Sequence, residues 1–244
     1  MKIFLAGASG AIGRRLTPLL VAGGHHVVGT TRSPDKAAAV AALGAEPVVV
    51  DVFNAAALAR ALGAAAPLVV IHQLTDLPHA PGTPGYEAGL ERNTRLRIDG
   101  TRNLVAAAKA AGVTRLIAQS IAFVYAPGEG TRVESDPLDL GATGVRRRTV
   151  DGVVALEDAT LEMPEGIVLR YGLLYGPGTW FEQDKRGKPA LHVDAAAHAA
   201  LLAVSKGHRG IYNVAEDDGA VSSDRAKRDF GFDAGFRIPS PASG

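Results

Sequence analysis

The chain contains no cysteine, which excludes disulfides, thiolate-held zinc, iron–sulfur clusters and cysteine nucleophiles. Folding therefore needs no oxidising compartment. Aromatic residues are scarce, with one Trp and five Tyr, too few for a surface that stacks single-stranded nucleic acid. Charge of one sign is lacking too: the net charge of +1 provides no global field toward nucleic acid or a membrane surface. The run Arg146-Arg147-Arg148 is too local to change this, and it reads as a solvated turn before a helix. No apolar run approaches transmembrane length, and Met1-Lys2 leads straight into a strand pattern without the features of a signal peptide. A cytoplasmic protein is expected, with neither nucleic acid nor membrane as partner.

What is present suits a globular α/β chain. At 244 residues, 47% hydrophobic and 21% charged, it can bury a core of ordinary size. Apolar runs alternate with Ala-rich helical stretches, the pattern of a doubly wound parallel sheet with helices on both faces. Strands are predicted at 2–6, 26–30, 47–50, 68–72, 115–119, 166–170 and 210–214. A Pro/Gly stretch at 78–85 precedes a long helical pattern over 86–111, and 126–143 reads as a long loop of the kind that covers a site. In such a sheet the ligand lies at the carboxyl ends of the strands, where their order reverses.

The first strand supplies the site. Gly7-Ala8-Ser9-Gly10-Ala11-Ile12-Gly13 follows Ile3-Phe4-Leu5-Ala6 and opens a helix beginning near Arg14. Glycines permit the tight turn and close backbone approach, while open N–H groups at the helix start face a dinucleotide pyrophosphate. A Walker-type loop is excluded because Arg14-Arg15 stand where a Lys and a Ser or Thr are needed, and Ala11 breaks the spacing of a nucleophile elbow around Ser9. The second strand ends at Thr31-Arg32-Ser33, where a dinucleotide fold carries its ribose-reading acid. Arg32 there suits the 2′-phosphate of NADP, with NAD as second choice. The plain alternative is a solvated loop arginine.

Several motifs in order then resemble one family. Besides the glycine loop, they are Asp51, Asp99-Gly100-Thr101-Arg102-Asn103-Leu104, Ser120 followed by Val124-Tyr125, Leu169-Arg170-Tyr171-Gly172 through Tyr175-Gly176-Pro177-Gly178, and His192-Val193-Asp194. Together they resemble the extended or atypical short-chain dehydrogenases, the NAD(P)-dependent epimerase/dehydratase family, over nearly the whole chain. The resemblance implies residues 1–165 as an NAD(P)-binding Rossmann domain. Residues 166–244 then hold the last strands and a reduced substrate-binding portion, not an independent domain. It further implies that Asp51 and Val52 contact the adenine, that Gln73 and Leu74 pass beside the cofactor ribose, and that Tyr171 approaches the nicotinamide or substrate. A homodimer through the helical stretches 86–111 and 149–161 is implied as well.

The catalytic part departs from the family. Counting back from Glu157 places Val153 at the lysine position and Thr149 at the tyrosine position, and neither can run the proton relay of a phenol beside an ammonium. The family serine falls at Ile121, one residue beyond Ser120. Two readings stay open. In one, an NAD(P)-dependent oxidoreductase or epimerase/dehydratase-like enzyme acts on a small metabolite or nucleotide sugar, Ser120 polarising its carbonyl and Tyr125, Tyr171 or water giving the proton. In the other, the chain binds NADP(H) without turnover, as a redox sensor or partner-binding module.

Remaining candidates read as structural or undecided. His25 and His26 precede a strand; His72 and His79 flank a loop without carboxylates spaced for a metal; Asp194 is expected to cap the Ala-rich helix after it. Tyr175, Trp180 and Phe181 form a substrate wall or local packing, and Glu134, Asp136 and Asp139 are expected to be solvated. The sequence leaves open whether 184–190 and 218–222 are genuinely short or have lost a segment.

Overall fold

The computed structural model describes residues 1–77 and 82–239. In chain order the first half runs β1 (Lys2–Ala6), α1 (Ala11–Ala22), β2 (His26–Thr31), α2 (Ala37–Ala42), β3 (Glu46–Val49), α3 (Ala55–Ala65), β4 (Val69–His72), α4 (Tyr86–Arg95) and α5 (Thr101–Ala110). The second half runs β5 (Arg115–Ile121), α6 (Gly144–Leu161), β6 (Glu165–Tyr171), β7 (Leu173–Tyr175), β8 (Ala190–His192), α7 (Val193–Leu202), β9 (Gly210–Val214) and α8 (Asp224–Phe230).

Seven strands form one sheet in the order β3-β2-β1-β4-β5-β6-β9, parallel at every pairing. The predicted doubly wound sheet is therefore the observed one. Side chains alternate across a strand, so Ile3 and Leu5 of β1 enter one core layer while Phe4 and Ala6 enter the other. On the first face α7 packs against α1, and its Ala195, Ala196, Ala197, Ala199 and Ala200 are fully buried. Small side chains let those helix axes come close. On the second face Leu58 and Leu62 of α3 meet Leu104 and Ala108 of α5. Asn54 caps α3, its Oδ1 accepting the Ala57 N–H at 3.0 Å.

Strand order reverses between β1 and β4, and the loops leaving these two strands frame the site. The long helix predicted over 86–111 is divided into α4 and α5 by a π turn, Leu96–Gly100. The strands β7 and β8, which the sequence did not announce, form a separate parallel pair. Asp218 ties the two short stretches together: its Oδ2 accepts the Ala190 N–H at 2.8 Å and its Oδ1 the Ala220 N–H at 3.0 Å. His79 lies outside the described residues.

The N-cap of α7 corrects the expectation for Asp194. His192 occupies the cap, its Nδ1 accepting the Asp194 N–H at 3.2 Å, and Asp194 sits in the first turn. Asp194 instead accepts the Ile238 N–H at 3.1 Å, holding the C-terminal segment.

Candidate cofactor and substrate site

The loop between β1 and α1 is shaped by what its glycines exclude. Gly7 has φ +96°, and a Cβ there would lie 2.7 Å from the Gln73 carbonyl oxygen. A Cβ on Gly13 would collide with the Gly7 carbonyl. Gly10 forms the N-cap of α1 with no side chain closing the helix end, so the first-turn N–H groups are left for a ligand. The Ala8 N–H donates to Thr30 O at 3.1 Å and the Gly7 N–H to Thr30 Oγ1 at 3.3 Å, fixing the loop on β2.

A groove of about 200 Å³ follows the loop, and Ser9, Thr31, Arg32, Asp51, Val52 and Leu74 are among the residues lining it. Asp51 Oδ1 accepts the Phe53 N–H at 2.9 Å, and the Val52 carbonyl accepts from Asn103 Nδ2 at 3.0 Å. Arg32 crosses the groove mouth to Asp76, its Nη2 and Nη1 donating to the two carboxylate oxygens at 3.1 and 3.3 Å. That hydrogen bond raises the guanidinium pKa, against partial desolvation. Gln73 lines the groove and also the larger cavity beyond it; its Oε1 is buried and finds no hydrogen-bond partner among the described residues. An orphaned buried oxygen, an open helix end and backbone that tolerates no side chain are what a bound dinucleotide satisfies. The residues present fit one.

The cavity beyond Gln73 measures about 550 Å³. Phe123, Tyr171, Trp180 and Phe181 give it aromatic walls, and Arg97, Ser120 and Thr149 are among its polar residues. Tyr171 is fully buried, its phenol accepts from Gln73 Nε2 at 3.5 Å, and burial pushes its pKa up. The Thr149 hydroxyl is spent on the Val145 carbonyl at 3.0 Å, and Val153 is fully buried.

The NAD(P)H-binding family pattern matches residues 7–153, the groove and most of the cavity included. The chain belongs to this NAD(P)H-binding family. A 3-diazoavenalumate denitrifying reductase from Streptomyces sp is 38% identical, over 91% of this chain and 78% of that protein. Among solved structures, MoeE5 in complex with UDP-glucuronic acid and NAD gives a TM-score of 0.75 at 19% identity, covering 97% of this chain and 95% of that one. The UDP-glucose 4-epimerase from Bifidobacterium longum, in complex with NAD+ and UDP, gives 0.75 at 18% identity, covering 97% and 94%. These two share the fold. The short-chain dehydrogenase resemblance drawn from the motifs thus agrees with both family and fold.

Within this NAD(P)H-binding chain, the two candidate catalytic residues separate. Ser120 lines the cavity, but its Oγ donates to Glu157 Oε1 at 2.7 Å. Tyr125 does not reach the cavity, which corrects its expected place beside a substrate. Its hydroxyl is buried, donates to Asn213 Oδ1 at 2.6 Å and accepts from Arg170 Nη1 at 2.8 Å. Burial pushes this phenol up, opposed by Arg170. Glu157 and Arg170 join the two hydroxyls: Arg170 Nε and Nη2 meet the carboxylate at 2.8 and 2.6 Å. Sequence reasoning used Glu157 only as a counting mark and missed it as Ser120's partner. It also passed over Arg97 and Phe123 as cavity residues.

Other candidates resolve into structural roles. The acidic loop is not simply solvated: Glu134 Oε1 accepts the Asn213 N–H at 2.9 Å, and Asp139 is buried against Arg146 at 2.5 Å. The arginine run likewise lies in α6 and is paired, Arg147 with Asp151 at 2.8 Å and Arg148 with Glu91 at 2.9 Å. Tyr175 is not among the residues that line the cavity with Trp180 and Phe181; its hydroxyl donates to Glu216 at 2.5 Å. His72 is held between the Leu74 N–H at 3.2 Å and Thr101 at 2.9 Å. Among the described residues no group of three His, Asp or Glu is placed to hold a metal. None of their helices is long and apolar enough to cross a membrane.

Proposed function

We propose that this chain is an NADP(H)-dependent reductase of a small aromatic molecule. In this reading Gly7, Ser9, Gly10, Ile12 and Gly13 take the pyrophosphate, Thr31 and Arg32 the 2′-phosphate, Asp51 and Val52 the adenine, and Gln73, Leu74 and Tyr171 the ribose and nicotinamide. The observation that carries it is the junction of groove and cavity, which share Gly10, Gln73 and Thr75. A ligand in one touches a ligand in the other. A reduced nicotinamide held there supplies a hydride. Ser120 then orients the acceptor, and the aromatic walls exclude water from it.

The substrate class follows from the departure at Thr149 and Val153. Carbonyl reduction or sugar oxidation needs a proton relay at that place, and a threonine tied to its own helix offers none. The carbon of an aryl diazonium needs no such relay: a hydride from the reduced nicotinamide forms the C–H bond, the C–N bond breaks, and N2 leaves with that bonding pair, so no proton is consumed. The relative named for denitrifying reduction of 3-diazoavenalumate supports an aromatic diazo compound over a nucleotide sugar here. A homodimer belongs to the same reading, through α4 and α6, which lie side by side.

The test mixes the protein with NADPH and a benzenediazonium salt carrying a para-carboxylate, following nicotinamide absorbance and evolved N2 against a protein-free control. Protein-dependent, stoichiometric loss of both NADPH and diazo group is expected. NADPH binding without turnover of this salt or of carbonyl substrates overturns the reductase reading in favour of a non-catalytic NADP(H) sensor.

A further inference from the structure

The π turn between α4 and α5 brings Leu96, Arg97 and Gly100 inward together. π turns recur where a helix is bent to a functional purpose. Arg97 is 8% exposed and lines the cavity, yet among the described residues no hydrogen bond or ion pair engages its guanidinium. A buried, unpaired guanidinium is strongly disfavoured unless an anion joins it. The one carboxylate whose field reaches it is that of Glu157. Both oxygens of that group are already engaged, Oε1 by Ser120 and Arg170, Oε2 by Arg170. Burial lowers the Arg97 pKa to about 10, so the group still carries its charge at neutral pH.

The rest of the cavity repeats this bias. Arg186 stands on its exposed side, and no Asp or Glu is among its lining residues. Two cations, no anion and five aromatic side chains define a ligand that is flat and negatively charged.

We infer that Arg97 is the anchor for a substrate oxyanion, so that the cavity selects small aromatic carboxylates or phenolates over neutral aromatics. This rests on the reading of the cavity as the substrate site. Arg97 is well suited to the task because its planar fork donates two parallel hydrogen bonds to one oxyanion.

Calorimetry on the full chain with NADPH present tests it, with cinnamate and neutral cinnamamide as probes of equal shape and 4-nitrophenolate at pH 8.5 as the phenolate arm. Cinnamate is expected to bind at least tenfold more tightly than cinnamamide. Arg97→Gln should abolish that ratio, and Arg97→Lys should leave part of it, while NADPH affinity stays within twofold of the parent. Binding of 4-nitrophenolate without cinnamate assigns the anchor to a phenolate; the reverse assigns it to a carboxylate. Equal binding of acid and amide with no 4-nitrophenolate binding, binding of none of the three probes, or a ratio unchanged in Arg97→Gln overturns the inference. The NADPH titration in the same cell keeps the two proposals apart. Loss of cofactor binding in the parent protein sinks the reductase reading, whereas intact cofactor binding with an acid-to-amide ratio of one and no 4-nitrophenolate binding sinks only the anchor.

Discussion

Arg170 on β6 and Glu157 on α6 form a two-pronged ion pair in the core, with side chains 3% and 4% exposed. The same carboxylate receives Ser120, and the same guanidinium donates to Tyr125, so one pair organises both hydroxyls that the sequence singled out. Removing one member leaves the other as an uncompensated buried charge, at a cost of about 3–5 kcal/mol. Glu157→Gln is therefore expected to lower the melting temperature by roughly 10 °C, taking about 2–4 °C per kcal/mol for a chain of this size. Thermal unfolding followed by circular dichroism checks this, and a shift under 3 °C contradicts it.

Arg32 and Asp76 face each other across the mouth of the groove, and a 2′-phosphate must compete with Asp76 for the guanidinium. A hydrogen bond between charged groups contributes about 1.5–3 kcal/mol, or roughly 10- to 150-fold in affinity. Arg32→Ala is expected to weaken NADPH by a factor in that range and NADH hardly at all. Asp76→Asn should strengthen NADPH by releasing Arg32. Dissociation constants for both cofactors measure this, and an unchanged NADPH-to-NADH ratio in Arg32→Ala counts against the NADP assignment.

The glycines of the loop separate folding from binding. A Cβ on Gly10 meets only the Gly7 carbonyl at 3.4 Å, ordinary contact, whereas one on Gly13 strikes the loop backbone. Gly10→Ala is expected to keep the parent's melting temperature within about 2 °C, a surface-scale change of ~0.5 kcal/mol, yet weaken NADPH at least tenfold, because the new methyl stands at the open end of α1. Gly13→Ala should lose both stability and binding. If Gly10→Ala binds as the parent does, the pyrophosphate does not lie on this helix end.

His72 makes stability depend on pH. Burial, with Arg97 nearby, holds its pKa down to about 4, against 6.5 in the unfolded chain. The unfolded state therefore takes up a proton first as pH falls. Stability from this group is complete above about pH 6.5 and declines down to about pH 4, by roughly 3 kcal/mol for a depression of this size. Urea denaturation at pH 7 and pH 4.5 should show a larger loss in the parent than in His72→Gln. Equal losses contradict a neutral, buried His72.

The sheet and the glycine groove were legible because their signals are local. Alternating apolar residues make Ile3 to Ala6 a strand, and glycines leading into a helix fix what the loop can hold. The strands β7 and β8 were not, since three residues between Gly172 and Gly176, or after Pro189, carry no periodicity. Arg97 escaped for a different reason. A charged residue between Leu96 and Ile98 reads as part of a solvated face, and a π turn that rotates it inward has no side-chain signature. Ser120 and Glu157 are 37 residues apart, so their contact is a product of the crossover from β5 to α6 and not of any spacing.

Tyr125 is where sequence position and structure diverge most, and a pair of conservative variants decides between them. Its hydroxyl bonds to Asn213 and Arg170 beneath the acidic loop, outside the cavity, so Tyr125→Phe removes two buried hydrogen bonds and leaves both partners short. The expected cost is about 1–3 kcal/mol of stability, with kcat for a diazo substrate within threefold of the parent and an unaltered pH profile. Ser120→Ala should behave in the opposite way. Its oxygen lines the cavity, and losing it frees one Glu157 contact while Arg170 still satisfies the carboxylate. Turnover should fall at least tenfold with a stability loss of ~1 kcal/mol or less. A Tyr125→Phe enzyme that folds as the parent does but has lost its activity returns the phenol to the chemistry and displaces Ser120 from it.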